Sequence, residues 1–381
     1  MPSLPRFATL SCLVLSGIAA VGIAQRASSS ASASPATQAE VTARLAASAQ
    51  AVLATLDEAG RAKVQFPFDS PQKTRWSNLP SPMFQRTGLR LADATAAQKT
   101  AVMALLSVAL SRDGYRKVIE IMRGDEMLRT GDTSGPARGA PNGGGAPPDR
   151  SGAGIAGGAR GRGRGMPGGG GPEFGQDQYY LAFVGTPSAT APWMLQFGGH
   201  HLAINLTLMG SEATMAPSLP AAQPATYTFE GQTIRPLGRE NDKAFGLINA
   251  LDANLQRQAI LGYRVPDLVL GPGQDGRSIQ PEGVKASALS APQQTMLWDL
   301  VREWTGIMND AFAEPRMAEL RSHLNDTYFA WSGPTTNGSA AYFRVQGPTL
   351  VIEYAPQGTV DHIHTIYRDP TNDYGAKFAR R

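Results

Sequence analysis

The chain contains five histidines, and four of them occur as two close pairs: His200-His201, and His362 with His364 in Asp361-His-Ile-His. Imidazoles are the side chains best suited to transition-metal ligation and to proton transfer near neutral pH. Residues two apart on an extended strand project to the same face, so His362 and His364 can present both rings to one space. Arg368 shares that parity. Adjacent residues on a strand face opposite ways, so one of His200 and His201 is expected in a common site. The even face after His200 is Leu202, Ile204, Leu206 and Leu208, and the odd face after His201 is Ala203, Asn205 and Thr207. This favours His201 for the site and places His200 nearer the core, unless Gly198-Gly199 bulges the backbone.

Glu353 ends the run Thr349-Leu-Val-Ile-Glu, and a hairpin through Pro356-Gln-Gly-Thr brings that strand beside His362-Ile-His364. The expected metal set is therefore His201, His362 and His364, with His200 as a further candidate and Glu353 as fourth ligand or base. Zinc, copper, iron or manganese would suit these donors. An open position would permit hydrolysis or, with iron or copper, oxidation of a small molecule. Metal-free acid-base catalysis by a His pair and Asp373 is a further reading. Asp373 lies in Arg368-Asp-Pro-Thr-Asn-Asp-Tyr-Gly, where it could orient a histidine or bond local backbone groups. A different class of reading is a non-enzymatic binding protein, with Arg344, Arg368, the histidines and Trp331 holding an anionic or sugar-like ligand. Core packing competes for Trp76, Trp193 and Trp331, and His323 reads as a helix C-terminal residue. The zinc-protease His-Glu-x-x-His, the phosphate-binding glycine loop and the Gly-x-Ser-x-Gly elbow are absent from the sequence.

These side chains need a scaffold, and the 381 residues, 42% hydrophobic and 17% charged, suffice for a large core. The formal charge of +4 is too small and too scattered for a phosphate-tracking surface, so nucleic acid is not an expected partner. The apolar run from Phe7 to Ala24 follows Arg6 and reads as a signal peptide cleaved near Ala24, followed by a spacer over residues 25–36. The lone cysteine, Cys12, falls within it. Gly17 and Gly22 interrupt the run, which is shorter than the roughly 20 residues a membrane span needs. The expectation is an exported protein, periplasmic or extracellular, with no stable membrane span and no disulfide chemistry.

Hydrophobic periodicity predicts a first helix over 37–59, opened by Thr37 and Glu40 at capping-box spacing. A second helix is expected near Asp93, ended or bent at Gly114, and a third continues through Met122 to Thr130. Residues 131–175 turn to Gly, Pro, Ala and Arg and read as a flexible insertion. Its Arg160-Gly-Arg162-Gly-Arg164-Gly motif sits among five arginines and three acids, without aromatics to stack bases. The period then changes to two over 179–184 and 193–208. Helices follow over about 240–261, after Ser290-Pro292-Gln293, and after Pro315. Strands return at 328–331, 342–345, 349–354 and 361–368. The expected fold is α+β, one domain over 37–381 with a mainly antiparallel sheet, N-terminal and inserted helices, and one Gly-rich disordered insertion.

The chain resembles the family called domain of unknown function 3500. The resemblance rests on Phe66-Pro-Phe-Asp with Arg75-Trp76, Gly199-His200-His201-Leu202, Tyr328-Phe-Ala-Trp331-Ser-Gly, Tyr342-Phe-Arg344 with Gly347-Pro348, and His362-Ile-His364 running into Arg368-Asp-Pro-Thr-Asn-Asp-Tyr-Gly. These motifs span about Val41 to Gly375. The resemblance implies a single module with the Gly/Arg stretch inserted, and it carries no activity, fold or ligand to transfer.

Overall fold

A computed structural model describes residues 36–131 and 171–379. Four helices precede the main sheets: α1 (Gln38–Ala54), α2 (Glu58–Val64), α3 (Ala96–Ala109) and α4 (Arg112–Thr130). Four follow later: α5 (Gly238–Ala250), α6 (Ala253–Ala259), α7 (Ala291–Thr305) and α8 (Asp310–Ser322). The Thr37–Glu40 capping box opens α1, and Thr95 with Gln98 opens α3 in the same way. Two helices end earlier than their apolar spacing suggests, because an aspartate recruits the backbone for a new start. Asp57 Oδ1 accepts from Gly60 N at 2.7 Å, which separates α2 from α1. Asp252 Oδ1 accepts from Asn254 N and Leu255 N, which separates α6 from α5. Gly114 neither ends nor bends a helix. The break falls at Ser111, which caps α4, and Gly114 lies in that helix's first turn, where a Cβ would sit 2.2 Å from the Ile307 carbonyl oxygen.

The first sheet is built on an antiparallel meander of β3 (Tyr180–Val184), β4 (Trp193–Gly198) and β5 (Leu202–Met209). Two short strands pair with β3: β1 (Gln65–Phe66) in parallel and β2 (Leu89–Arg90) antiparallel. Two more, β6 (Glu212–Thr214) and β7 (Leu219–Pro220), pair antiparallel with β5. The hairpin of β8 (Tyr227–Phe229) and β9 (Gln232–Ile234) stands apart. The second sheet is wholly antiparallel, in the order β10 (Val284–Lys285), β11 (Tyr328–Ser332), β12 (Tyr342–Gly347), β13 (Leu350–Pro356) and β14 (Ile363–Arg368).

Each sheet buries one face under helices. Leu195, Phe197, Ile204 and Leu206 pack with Val41, Leu45, Leu105 and Val118 of the N-terminal helices. Phe343, Val345, Ile352 and Tyr367 pack with Leu247, Leu300 and Trp304 of α5 and α7. The alternation along β5 is therefore as the sequence reads, with even-numbered residues toward the helices. The fold is α+β with mainly antiparallel sheets.

What brings the two sheets together is the segment around β7. Its Leu219 and Pro220 pair with Ala203 and Leu202 of β5, while Ser218 and Ala222 bridge to Tyr367 and Ile363 of β14. A small apolar cluster of Trp76, Ala203, Leu219, Ala221 and Ile366 fills the seam. The segment thus lies hydrogen-bonded between the start of β5 and the length of β14, and so joins the stretches of chain that carry the two histidine pairs. The insertion expected over 131–175 falls largely outside the described residues. Its last residues are described and are built into the fold: Glu173 bridges to Ser81, and Phe174 packs against His200.

Candidate metal centre

His200 and His201 do not lie on a strand. They form the tight connection between β4 and β5, closed by Gly199 N donating to Leu202 O at 2.9 Å. Strand parity therefore does not govern them, and both rings turn the same way, 3.6 Å apart between centroids. The turn requires Gly199, because a Cβ there would meet the Tyr179 ring at 2.8–2.9 Å. His200 is nearly buried and His201 wholly so, which reverses the expectation that His200 is the deeper of the two.

Both imidazoles are held by one carboxylate. Asp125, on the buried side of α4, accepts from His201 Nδ1 at 2.8 Å and from His200 Nδ1 at 3.1 Å, both at Oδ1. Its Oδ2 accepts the Tyr179 hydroxyl at 2.7 Å. With Nδ1 protonated toward Asp125, His201 presents an unprotonated Nε2 on its far side. That Nε2 lies 3.2 Å from Nε2 of His362. His362 sits just before β14 and His364 on it, their rings perpendicular with centroids 4.6 Å apart. One ligand nitrogen from each of His201, His362 and His364 fits within a 4.8 Å group.

These dimensions suit a metal ion. Zinc–imidazole bonds of about 2.0–2.1 Å in a tetrahedron place two ligand nitrogens about 3.3 Å apart, and the His201–His362 edge is 3.2 Å. The His201 and His364 rings stand farther apart, 6.2 Å between centroids against 5.2 Å for His201 and His362, with their ligand nitrogens still inside the 4.8 Å group. Asp267 stands 3.4 Å from His364 Nδ1, a second carboxylate behind a second imidazole. The Asn78 amide nitrogen lies 3.2 Å from His364 Nε2 and 3.4 Å from Nδ1.

Asp125, His200 and His201 also bring ligand atoms within 4.8 Å of one another. Their 2.8 and 3.1 Å contacts are ordinary N–H···O hydrogen bonds, and Oδ2 is already committed to Tyr179. We therefore read Asp125 as the support of His201 in place of a second ion site. Burial draws the Asp125 carboxyl upward, but the neighbouring His201 and the bonds from His200 and His201 prevail and hold it well below the carboxylate range. Burial, reinforced by His200 and opposed by Asp125, lowers His201 to about 4. Burial and then His201 and His364 lower His362 to about 3. Both rings are thus neutral at pH 7, the form that binds metal.

A family model described as a protein of unknown function (DUF3500) matches residues 38–376. The chain belongs to the DUF3500 family. No curated protein and no solved structure matches it.

In this DUF3500 chain the remaining residues singled out from sequence are placed elsewhere. Glu353 pairs in register with Ile366, two residues beyond His364, and its oxygens accept Val269 N, Leu270 N and the Tyr342 hydroxyl, each at 2.7–2.8 Å. It anchors the segment crossing the outer face of the second sheet. Arg344 reaches Glu282 at 3.0 Å. Arg368 donates to Leu270 O, Gly271 O, Asp275 and Asp373. Asp373 bonds Arg368 and the backbone N–H of Asp369, not a histidine. Trp331 is fully buried, stacked on Phe343, with its indole N–H on Gly333 O. The Arg/His/Trp pocket is thus not assembled from these residues, because each cation already has protein partners and the indole is core.

Asp125 and Tyr179 were missed. The signal for Asp125 was present: it falls at helical spacing from Val118, Ile121 and Met122, a carboxylate on an apolar stripe. Asp267 and Asn78 lie in irregular segments, and no local pattern marks them.

Proposed function

We propose that this chain is an exported metal-dependent enzyme, a hydrolase or oxidoreductase acting on a small molecule at the His201, His362 and His364 centre. The observation that supports it most is the pairing of His201 Nε2 with His362 Nε2 at 3.2 Å while Asp125 holds His201 from behind. Three imidazoles and a supporting carboxylate match the donor set of zinc, copper, iron or manganese. Such an ion would supply a Lewis acid or a bound hydroxide near neutral pH. The chain's own work is to hold three imidazoles in place, His201 and His362 among them in the neutral form, and to fix the His201 tautomer through Asp125.

Elemental analysis of tag-free protein tests this, both as purified and after supplementation with each of the four metals. About one equivalent of one metal is expected, falling to under about a tenth in His362→Ala and His364→Ala. Sub-stoichiometric metal in native and supplemented samples alike would overturn the proposal.

A further inference from the structure

A second feature lies on the other side of the strand that carries the histidine pair. A cleft of about 730 Å³ opens between the start of α5, the β8–β9 hairpin and the loop joining β11 to β12. Its volume falls within the roughly 300–1,000 Å³ of small-molecule sites. Asp361 and Ile363 line it and flank His362 in sequence, so the cleft and the histidine centre share one length of chain.

The chemistry of the lining is distinctive. Thr226, Thr233 and Asn337 contribute hydroxyl and amide groups that bond to no other side chain or backbone group among the described residues. Asn241 adds an amide whose oxygen is only loosely engaged, 3.4 Å from the Tyr354 hydroxyl, while its nitrogen donates to Asp242 Oδ1 at 3.0 Å. The charges present are already spoken for: Arg235 grips Asp242 with two bonds of 2.7 and 2.8 Å, and the Asp361 carboxylate accepts Ala225 N at 3.1 Å. Without a free cation the cleft has little to offer a phosphate or carboxylate. One engaged aspartate and one paired aspartate do not make a cation cage either. Pro356 and half-exposed Val360 add apolar surface among the hydrogen-bonding groups.

We infer that this cleft binds a neutral, polyhydroxylated ligand, a short oligosaccharide, through Thr226, Thr233, Asn241 and Asn337. Alternating hydroxyls and C–H faces on a pyranose match neutral donors and acceptors set beside small apolar patches. The Thr233 and Asn337 side chains support no other part of the fold, so they can be altered without unfolding the protein.

The test is saturation-transfer difference NMR followed by calorimetry on the full chain, in EDTA, with maltotriose, cellotriose, xylotriose and chitotriose, and with citrate and inorganic phosphate as charged controls. At least one neutral trisaccharide binds with one-to-one stoichiometry, and the charged controls do not. Asn337→Ala and Thr233→Val each weaken it by about tenfold, the loss of one or two hydrogen bonds, with unchanged thermal midpoints. The inference is overturned by the absence of binding across the four trisaccharides, by binding of the anions alone, or by affinities unaltered in both variants. Persistence of binding in His362→Ala places the ligand in the cleft, and its loss there would place it at the histidine centre and overturn the assignment.

Discussion

At the scale of single residues the centre depends on one carboxylate, set on the apolar stripe of α4. Asp125 receives both Nδ1–H groups of the histidine doublet and a tyrosine hydroxyl, all within a buried space. Asp125→Ala leaves those donors without an acceptor and frees the His201 ring to rotate. Its expected result is a 10–100-fold loss of zinc affinity by competition with a chromogenic chelator and a destabilisation of about 2–4 kcal/mol in urea. Asp125→Asn keeps an acceptor oxygen and is the milder change. His200→Ala removes one of the three bonds on Asp125 but none of the three converging imidazoles. Metal content therefore stays near one equivalent while the urea midpoint falls; loss of metal in His200→Ala with retention in His201→Ala would reverse their assignments.

At the scale of elements, α4 holds the centre in place from one end and the helix bundle from the other. Two helical turns before Asp125, Lys117 is buried against Glu240 of α5 and the Glu303 carbonyl of α7, 3.1 Å away. Burial raises the Glu240 carboxyl above its usual value, and Lys117 opposes that. Lys117→Ala strands a buried carboxylate and is expected to cost about 3–5 kcal/mol, whereas Lys117→Met with Glu240→Leu recovers most of it. A double variant as unstable as the single one would show that the ion pair itself, not the stranded charge, carries the stability. The β4–β5 connection is equally constrained. Gly199→Ala pushes on the Tyr179 ring, and through Tyr179 on Asp125, so it should lower metal affinity as well as stability, by about 1–3 kcal/mol. The turn explains why strand parity has no hold on the His200-His201 doublet. The alternation along β5 was legible, but the double glycine takes His200 and His201 out of the strand, where period-two reasoning has no force.

Across the whole molecule, the helices and strands were legible because apolar spacing and capping pairs such as Thr37–Glu40 are local. The break at Asp252 was not, since an aspartate cap competes with continued apolar spacing. Least visible was the β7 segment, too short and Pro-rich to read as a strand, yet it joins β5 to β14 and so sets the two histidine pairs together. The expectations for Glu353, Arg344 and Arg368 failed to anticipate that the chain over about 261–283 crosses the same face and claims those side chains. Long-range closure of this kind leaves no periodic trace. The buried histidines also set a global acid response. In the metal-free protein His201 and His362 lie at about 4 and about 3, against 6.5 for an ordinary histidine. The unfolded chain then binds protons that the folded chain refuses, so stability falls as pH drops below 6.5 and levels off only near 4 to 3. Urea titrations at pH 7 and pH 5 should differ by a few kcal/mol, and His362→Ala should remove part of that difference; a flat response would contradict the burial of neutral rings.

The most direct measurement is X-ray absorption at the metal edge of the full chain loaded with one equivalent of zinc. The geometry around His201, His362 and His364 predicts three imidazole nitrogens at about 2.0–2.1 Å, reduced to two in His364→Ala. A spectrum of zinc coordinated by water and carboxylate oxygen alone, or one unchanged by removing His364, would contradict it.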